Sequence, residues 1–100
     1  MKIVQAVPRV DAEDNLKTLL KQKERELRGT TTAFRRKREG VWVHAKHRGT
    51  IRWDTVAGGV LMAEIRASGE TKDWQLIQSF VGYLDRHLGD QLESVSILYR

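Results

Sequence analysis

The spacing of apolar residues is most regular between Asp73 and Leu88. On a helical wheel Trp74, Leu76, Ile77, Phe80, Val81, Tyr83, Leu84 and Leu88 fall in one half of the cylinder, and Gln75, Gln78, Ser79, Gly82, Asp85 and Arg86 fill the other. A broad apolar face at a period of 3.6 predicts a helix lying on a core. Thr71 is placed to cap its start and Gly89 to end it. Beyond it Val95, Ile97 and Tyr99 alternate with Ser94, Ser96 and Leu98, a half-buried strand.

The same reading places a first strand over Lys2 to Val7, ending at Pro8, where the backbone donor is lost. Asp11 reads as an N-cap, with Asp14 three residues on, opening a first helix that runs to about Arg28 and Gly29. Leu16, Leu19, Leu20 and Leu27 make its narrow stripe, with Lys23 in the middle of it, read as an aliphatic stem snorkelling outward. Lys17, Lys21, Arg25 and Arg28 share the opposite side, as a phosphate-facing row or a solvated face steadied by pairs such as Glu24 with Arg28.

From Thr30 to Asp54 the period becomes two. Thr30, Thr31 and Thr32 are β-prone, and Glu39-Gly40 and Arg48-Gly49 are placed as hairpin turns. A meander of Thr32 to Arg38, Val41 to His47 and Thr50 to Asp54 follows. In that register Phe34 lies opposite Ala45, Arg36 opposite Val43, Trp53 opposite His44 and Ile51 opposite Lys46. Phe34, Val41, Val43 and Ala45 then form the floor under the helices. Arg35, Lys37, Trp42, His44, Lys46, Ile51 and Trp53 share the other face. A slip of one residue at either turn exchanges the faces and makes both tryptophans core.

Val60 to Ala67 resumes the alternation after Gly58-Gly59, a break that is either a connection or an irregularity within one strand. The order is β-α-β-β-β-β-α-β, which predicts one α+β domain over residues 1–100. It is a two-layer sandwich with two helices on one face of a mainly antiparallel sheet of four to five strands. That plan is analogous to a ferredoxin-like split β-α-β with an enlarged central meander, and it contains the α-β-β-β-α order of double-stranded RNA-binding domains. Neither analogy confers a function.

Charge changes the picture more than composition does. Of the net +5, residues 1–50 carry +7 and residues 51–100 carry −2. A basic half of this kind suits a polyanionic partner. There is no cysteine, which leaves no disulfide and no thiolate chemistry and fits a cytoplasmic setting. No apolar run approaches the roughly 20 residues of a membrane span, and Met1 to Pro8 is too short for a secretory signal, so no membrane partner is expected.

Candidate chemistry is sparse. His44 and His47 are three apart, a spacing that on a strand aims them at opposite faces. His87 lies in the apolar half of the second helix near its C-terminus, where the helix dipole favours the charged form. No metal site, no cofactor and no catalytic set is expected: there is no Gly-x-Ser-x-Gly elbow, and Gly58-Gly59 lacks the setting of a phosphate loop. The specific function with the best physical case is non-catalytic binding of single-stranded RNA or DNA. Trp42 and Trp53 would offer stacking rings, with Arg35, Arg36, Lys37, Arg38, His44, Lys46, Arg48 and Arg52 around them for phosphates. Arg48-Gly49-Thr50-Ile51-Arg52-Trp53 does not match the RNA-recognition motif, and Lys72-Asp73-Trp74-Gln75 is no lysine cluster. The rival is a homodimeric protein-interaction module: an adaptor, or an antitoxin-like or immunity-like protein. It would bury Trp42, Ile51, Trp53 and Met62 of the open sheet face in a twofold interface.

Overall fold

A computed structural model of the chain describes residues 1–12, 14–27 and 33–100. Eight elements follow one another: β1 (Lys2–Pro8), α1 (Leu16–Glu26), β2 (Phe34–Arg38), β3 (Val41–His44), β4 (Gly49–Thr55), β5 (Leu61–Ala67), α2 (Asp73–Leu88) and β6 (Leu92–Tyr99). The α+β class and the antiparallel sheet are those the pattern predicts. The sheet has six strands where four or five were expected, in the order β2-β3-β4-β5-β1-β6. β1 is inserted between β5 and β6, antiparallel to both, so the two ends of the chain lie side by side at the β6 edge of the sheet.

Both helices pack on one face of that sheet. Leu16, Leu20 and Leu27 from the α1 segment and Leu76, Ile77, Phe80, Tyr83, Leu84 and Leu88 from α2 join Val4, Ala6, Ile51, Leu61, Ala63 and Ile65 in a single cluster. The helix starts differ from the sequence reading. α1 begins at Leu16, not near Asp11, because Asn15 is the N-cap and its side-chain oxygen accepts from the Thr18 amide. α2 is entered through Lys72, whose amide donates to the Gln75 side chain, while the Thr71 hydroxyl accepts from the Arg48 amide instead of capping the helix. Thr30, Thr31, Thr32, Arg28 and Gly29 lie outside the described residues.

The meander is where the expected register fails. Near its turn the hairpin does follow that register, with Arg38 opposite Val41. A bulge between Arg36 and Arg38 then leaves Lys37 without an opposite residue, and Arg36 meets Trp42, Arg35 meets Val43 and Phe34 meets His44. The second connection moves by four residues, since β3 stops at His44 and Trp42 lies opposite Ile51. An even shift keeps the face and an odd one exchanges it. Trp42, His44, Ile51 and Trp53 therefore join Phe34 beneath the helices, and Val41 and Val43 turn to the open side.

Burial explains the choice. Each tryptophan removes about 150–250 Å² from water, worth up to about 4–6 kcal/mol at roughly 25 cal/mol per Å². Val43 and Ala45 offer far less, and a bulge is a small cost beside that difference. Trp42 is fully buried and Trp53 is 4% exposed. Around Trp42 lie Phe34, Trp53, Phe80 and Tyr83, with ring centroids 5.3–6.1 Å away, edge-on for the last three and tilted for Phe34. On the open side Val41 and Ile3 are also buried. Their cross-strand neighbours are Arg38 and Arg52 for Val41, and Glu64 and Leu98 for Ile3.

β4 and β5 are separate strands joined through a one-turn 3-10 segment at Ala57–Gly59. Gly49 opens β4 at a φ of +138°, where a Cβ would stand 2.3 Å from the Arg66 carbonyl oxygen, so no other residue fits. Among the described residues no helix is long and apolar enough to cross a membrane.

Candidate functional site: a basic hollow at the β2 edge

β2 is one outer strand of the sheet, and four of its five residues, Arg35 to Arg38, are exposed. It is held in place by Glu24, a carboxylate on α1 that is only 5% exposed. Its oxygens accept from Trp42 Nε1 at 2.8 Å, from the Gly40 amide at 3.1 Å and from Arg36 Nε at 3.0 Å. One buried acid thus ties α1 to both strands of the hairpin and to its turn. The charge is matched by Arg36 and its lone pairs are filled, which is the condition for tolerating it there. Glu24 escaped the sequence reading, which gave it Arg28 as a helical neighbour. The one clue was an acid three residues before Leu27, facing inward beside Leu20.

A hollow of about 630 Å³ opens beside this strand, lined by Arg35, Arg36, Lys37, His44, His47 and Arg48 together with Val43, Gly49, Thr50 and Ser68. Four cations and two imidazoles line it, and no carboxylate does. The residues after His44 leave the strand, so His47 does not point away from His44 as strand spacing implied. Its ring stacks on that of His44 at 4.6 Å. His44 Nδ1 accepts from the Lys46 and His47 amides, which fixes the proton of the neutral ring on Nε2. Partial burial, then the neighbouring His47 and Lys46, hold the His44 pKa below its ordinary value.

The lysines of α1 and the cations around the hollow differ in their pairing. On α1 the three lysines are matched, Lys17 to Asp54 at 3.5 Å, Lys21 to Glu39 at 3.1 Å and Lys23 to Glu26 at 3.4 Å, while Arg25 has no carboxylate oxygen within 4.0 Å among the described residues. Lys23 is accordingly a surface residue. Around the hollow only Arg36 is matched, to Glu24. Among the described residues Arg35, Lys37, Arg38, Lys46, Arg48 and Arg52 have no carboxylate oxygen within 4.0 Å. Arg38 and Arg52 flank Val41 on the open side, adjoining the hollow.

Of the residues expected to form the site, the structure therefore brings together Arg35, Arg36, Lys37, His44 and Arg48, with Lys46, Arg38 and Arg52 at the rim. It removes Trp42 and Trp53 from it. Both indoles lie under the helices, out of reach of a base, and the same burial takes Trp42, Ile51 and Trp53 out of any twofold interface on the open face. His87 also differs from expectation. It is exposed, its ring tilted against that of Tyr83 with centroids 4.3 Å apart, and its pKa is lowered by partial desolvation and by Lys23 and Arg86. Tyr83 itself is pushed up to about 12 by burial and the Glu26 charge. Among the described residues no three His, Asp or Glu side chains gather as metal ligands. Comparison with family models, with curated proteins and with solved structures gives no match.

Proposed function

We propose that the chain is a non-catalytic nucleic-acid-binding module that grips the phosphate backbone. The observation that carries this reading is the unequal pairing of cations: the three lysines of α1 are matched by carboxylates, whereas among the described residues the hollow and its rim leave Arg35, Lys37, Arg38, Lys46, Arg48 and Arg52 unneutralised on β2, β4 and the loop after β3. Cations without protein partners are free to displace counterions from a polyanion, which supplies affinity and strong salt dependence. With no exposed indole in the site, bases are not stacked on tryptophan, and binding is indifferent to sequence.

The test is fluorescence anisotropy of a labelled single-stranded oligonucleotide titrated with protein over a range of salt concentrations. The affinity should fall linearly on a double-logarithmic plot against salt. Replacing Arg35, Lys37, Arg38 and Arg48 by alanine together should flatten the slope by about 3, at roughly 0.7 per lost phosphate contact. Binding that ignores salt, or that survives the fourfold replacement, rules the reading out.

A further inference from the structure

At the opposite end of the sheet, β6 pairs with β1 alone among the described residues. An edge strand presents unpaired N–H and C=O groups, and proteins commonly guard such an edge with lysine, proline or a bulge. From Leu92 to Tyr99 there is no Lys, Arg or Pro. The one irregularity lies at the start of the strand, opposite Val7 and Pro8, and Ser94 to Tyr99 run in regular register. Beside the strand a groove of about 690 Å³ separates it from α2, with Ile77, Val81, Val95 and Ile97 along its walls. Two exposed apolar side chains line it, Trp74 at 51% and Val95 at 36%, and Tyr99, 74% exposed, ends the same strand.

We propose that β6 and this groove form the interface of a twofold homodimer, in which β6 pairs antiparallel with β6 of a second copy. Charge complementarity selects a second copy as the occupant. The groove is acidic at the end where α2 finishes and β6 starts, with Asp85 and Glu93 in its lining. At the other end, where α2 starts and β6 finishes, Lys72 and Arg100 are exposed beside a single exposed acid, Glu70, and Asp73 is already paired with Lys2. A twofold axis perpendicular to the sheet reverses the strand, so the acidic end of each copy meets the basic end of the other, twice. Centred on Ser96, the axis sets Val95 opposite Ile97 of the second copy on the helix side and Ser94 opposite Leu98 on the open side. Apolar side chains then meet on the buried face.

Gly82 fits the same arrangement. It lines the groove in the middle of α2, and a Cβ there would meet nothing within 4 Å. A mid-helix glycine costs about 1 kcal/mol relative to alanine, and nothing inside the chain requires it. Its bare backbone lets a second α2 approach. β2 cannot serve this way, because Arg35 to Arg38 of two copies would face one another. In the dimer the two β2 edges lie at opposite ends of a continuous sheet, roughly 50 Å apart at about 4.8 Å per strand, with both basic hollows open.

The test uses the full chain in sedimentation velocity and in oxidative cross-linking. The wild-type protein should sediment at twice the chain mass and dissociate on dilution. Val95→Lys should weaken self-association by about 100-fold, since it sets like charges close across the axis. Trp74→Glu, at a side chain already half exposed, should do the same and covers the event that Val95→Lys does not fold. The chain has no cysteine, so Ser96→Cys reports symmetric apposition directly: paired strands hold opposite Cα atoms about 4.5–5.5 Å apart, within disulfide reach. Ser96→Cys should give a covalent dimer on oxidation and Arg38→Cys, on the other edge, should not. A wild-type chain that stays monomeric at every soluble concentration overturns the proposal. So does a dimer that persists in both Val95→Lys and Trp74→Glu, or one that Ser96→Cys fails to cross-link.

Discussion

β2 and β6 close the same sheet at its two ends, and each manages its unpaired edge in a different way. β2 is short, bulged at Lys37 and carries four consecutive cations, all features that repel a second strand. It hangs on the core by Phe34, by the rings around Trp42 and by the Glu24 carboxylate. β6 is longer and lacks Lys, Arg and Pro, and its side chains between Ser94 and Leu98 are uncharged. It borders an apolar groove instead of a basic hollow. The difference teaches that edge chemistry decides how open a strand is to pairing: four consecutive cations on β2 disfavour addition of a second strand, while the uncharged run from Ser94 to Leu98 leaves the β6 backbone without that guard.

The sharpest way to break the comparison is to cut the β2 edge from the core. Glu24→Ala leaves the Trp42 indole N–H and the Gly40 amide without their acceptor and Arg36 without its counterion, and should cost about 3 kcal/mol in urea unfolding. Hydrogen exchange should then quicken in β2 and β3 and remain unchanged in β6. Smaller effects should follow from the two indoles. Trp42→Phe strands Glu24 without its shortest donor and should cost about 2 kcal/mol. Trp53 Nε1 is buried with no acceptor among the described residues, so Trp53→Phe relieves one cost while losing some contact and should change stability by less than about 1 kcal/mol. Measured together, the pair separates polar anchoring from bulk.

At the β6 edge Val95→Lys should leave the unfolding free energy of the monomer within about 0.5 kcal/mol, because the site is on the surface. A larger loss would mean that β6 contributes more to the core than its exposure indicates. The smallest expected effect is in the basic hollow. Histidines 44 and 87 both have folded-state pKa values below the ordinary one, so the unfolded chain binds more protons as pH falls through that value. Their contribution is fully present above the ordinary histidine pKa and declines as pH drops below it. His44→Gln should flatten the slope of stability between neutral and mildly acidic pH, checked by thermal unfolding in matched buffers. Asp73 titrates lower still, held down by the Ala67 amide with help from Lys2, and should not affect that window.

The periodic segments were legible from the sequence. α2 extends from Asp73 to Leu88 as its apolar half predicts, although Trp74, counted in that half, is half exposed at the mouth of the groove. The first strand lies where its apolar run puts it, and the strand before α2 and the last strand lie where alternation puts them. The site was legible as charge: the run Arg35 to Arg38 with Arg48 is basic wherever the backbone takes it. It was not legible as geometry, because the stacked imidazoles depend on β3 ending at His44, and no residue in Val43 to Lys46 marks that end.

What the sequence by itself determined is periodicity, the α+β class and the concentration of positive charge in the first half of the chain. These are local properties, fixed by neighbours a few residues apart. Tertiary structure alone decided which side of the meander is inside. Two registers one residue apart satisfy the alternation equally, and the bulge at Lys37 that selects between them has no local signal. Its cause lies far away in sequence: Phe80 and Tyr83 on α2 and Glu24 on α1 enclose Trp42, and burying that indole outweighs the irregularity needed to bring it there.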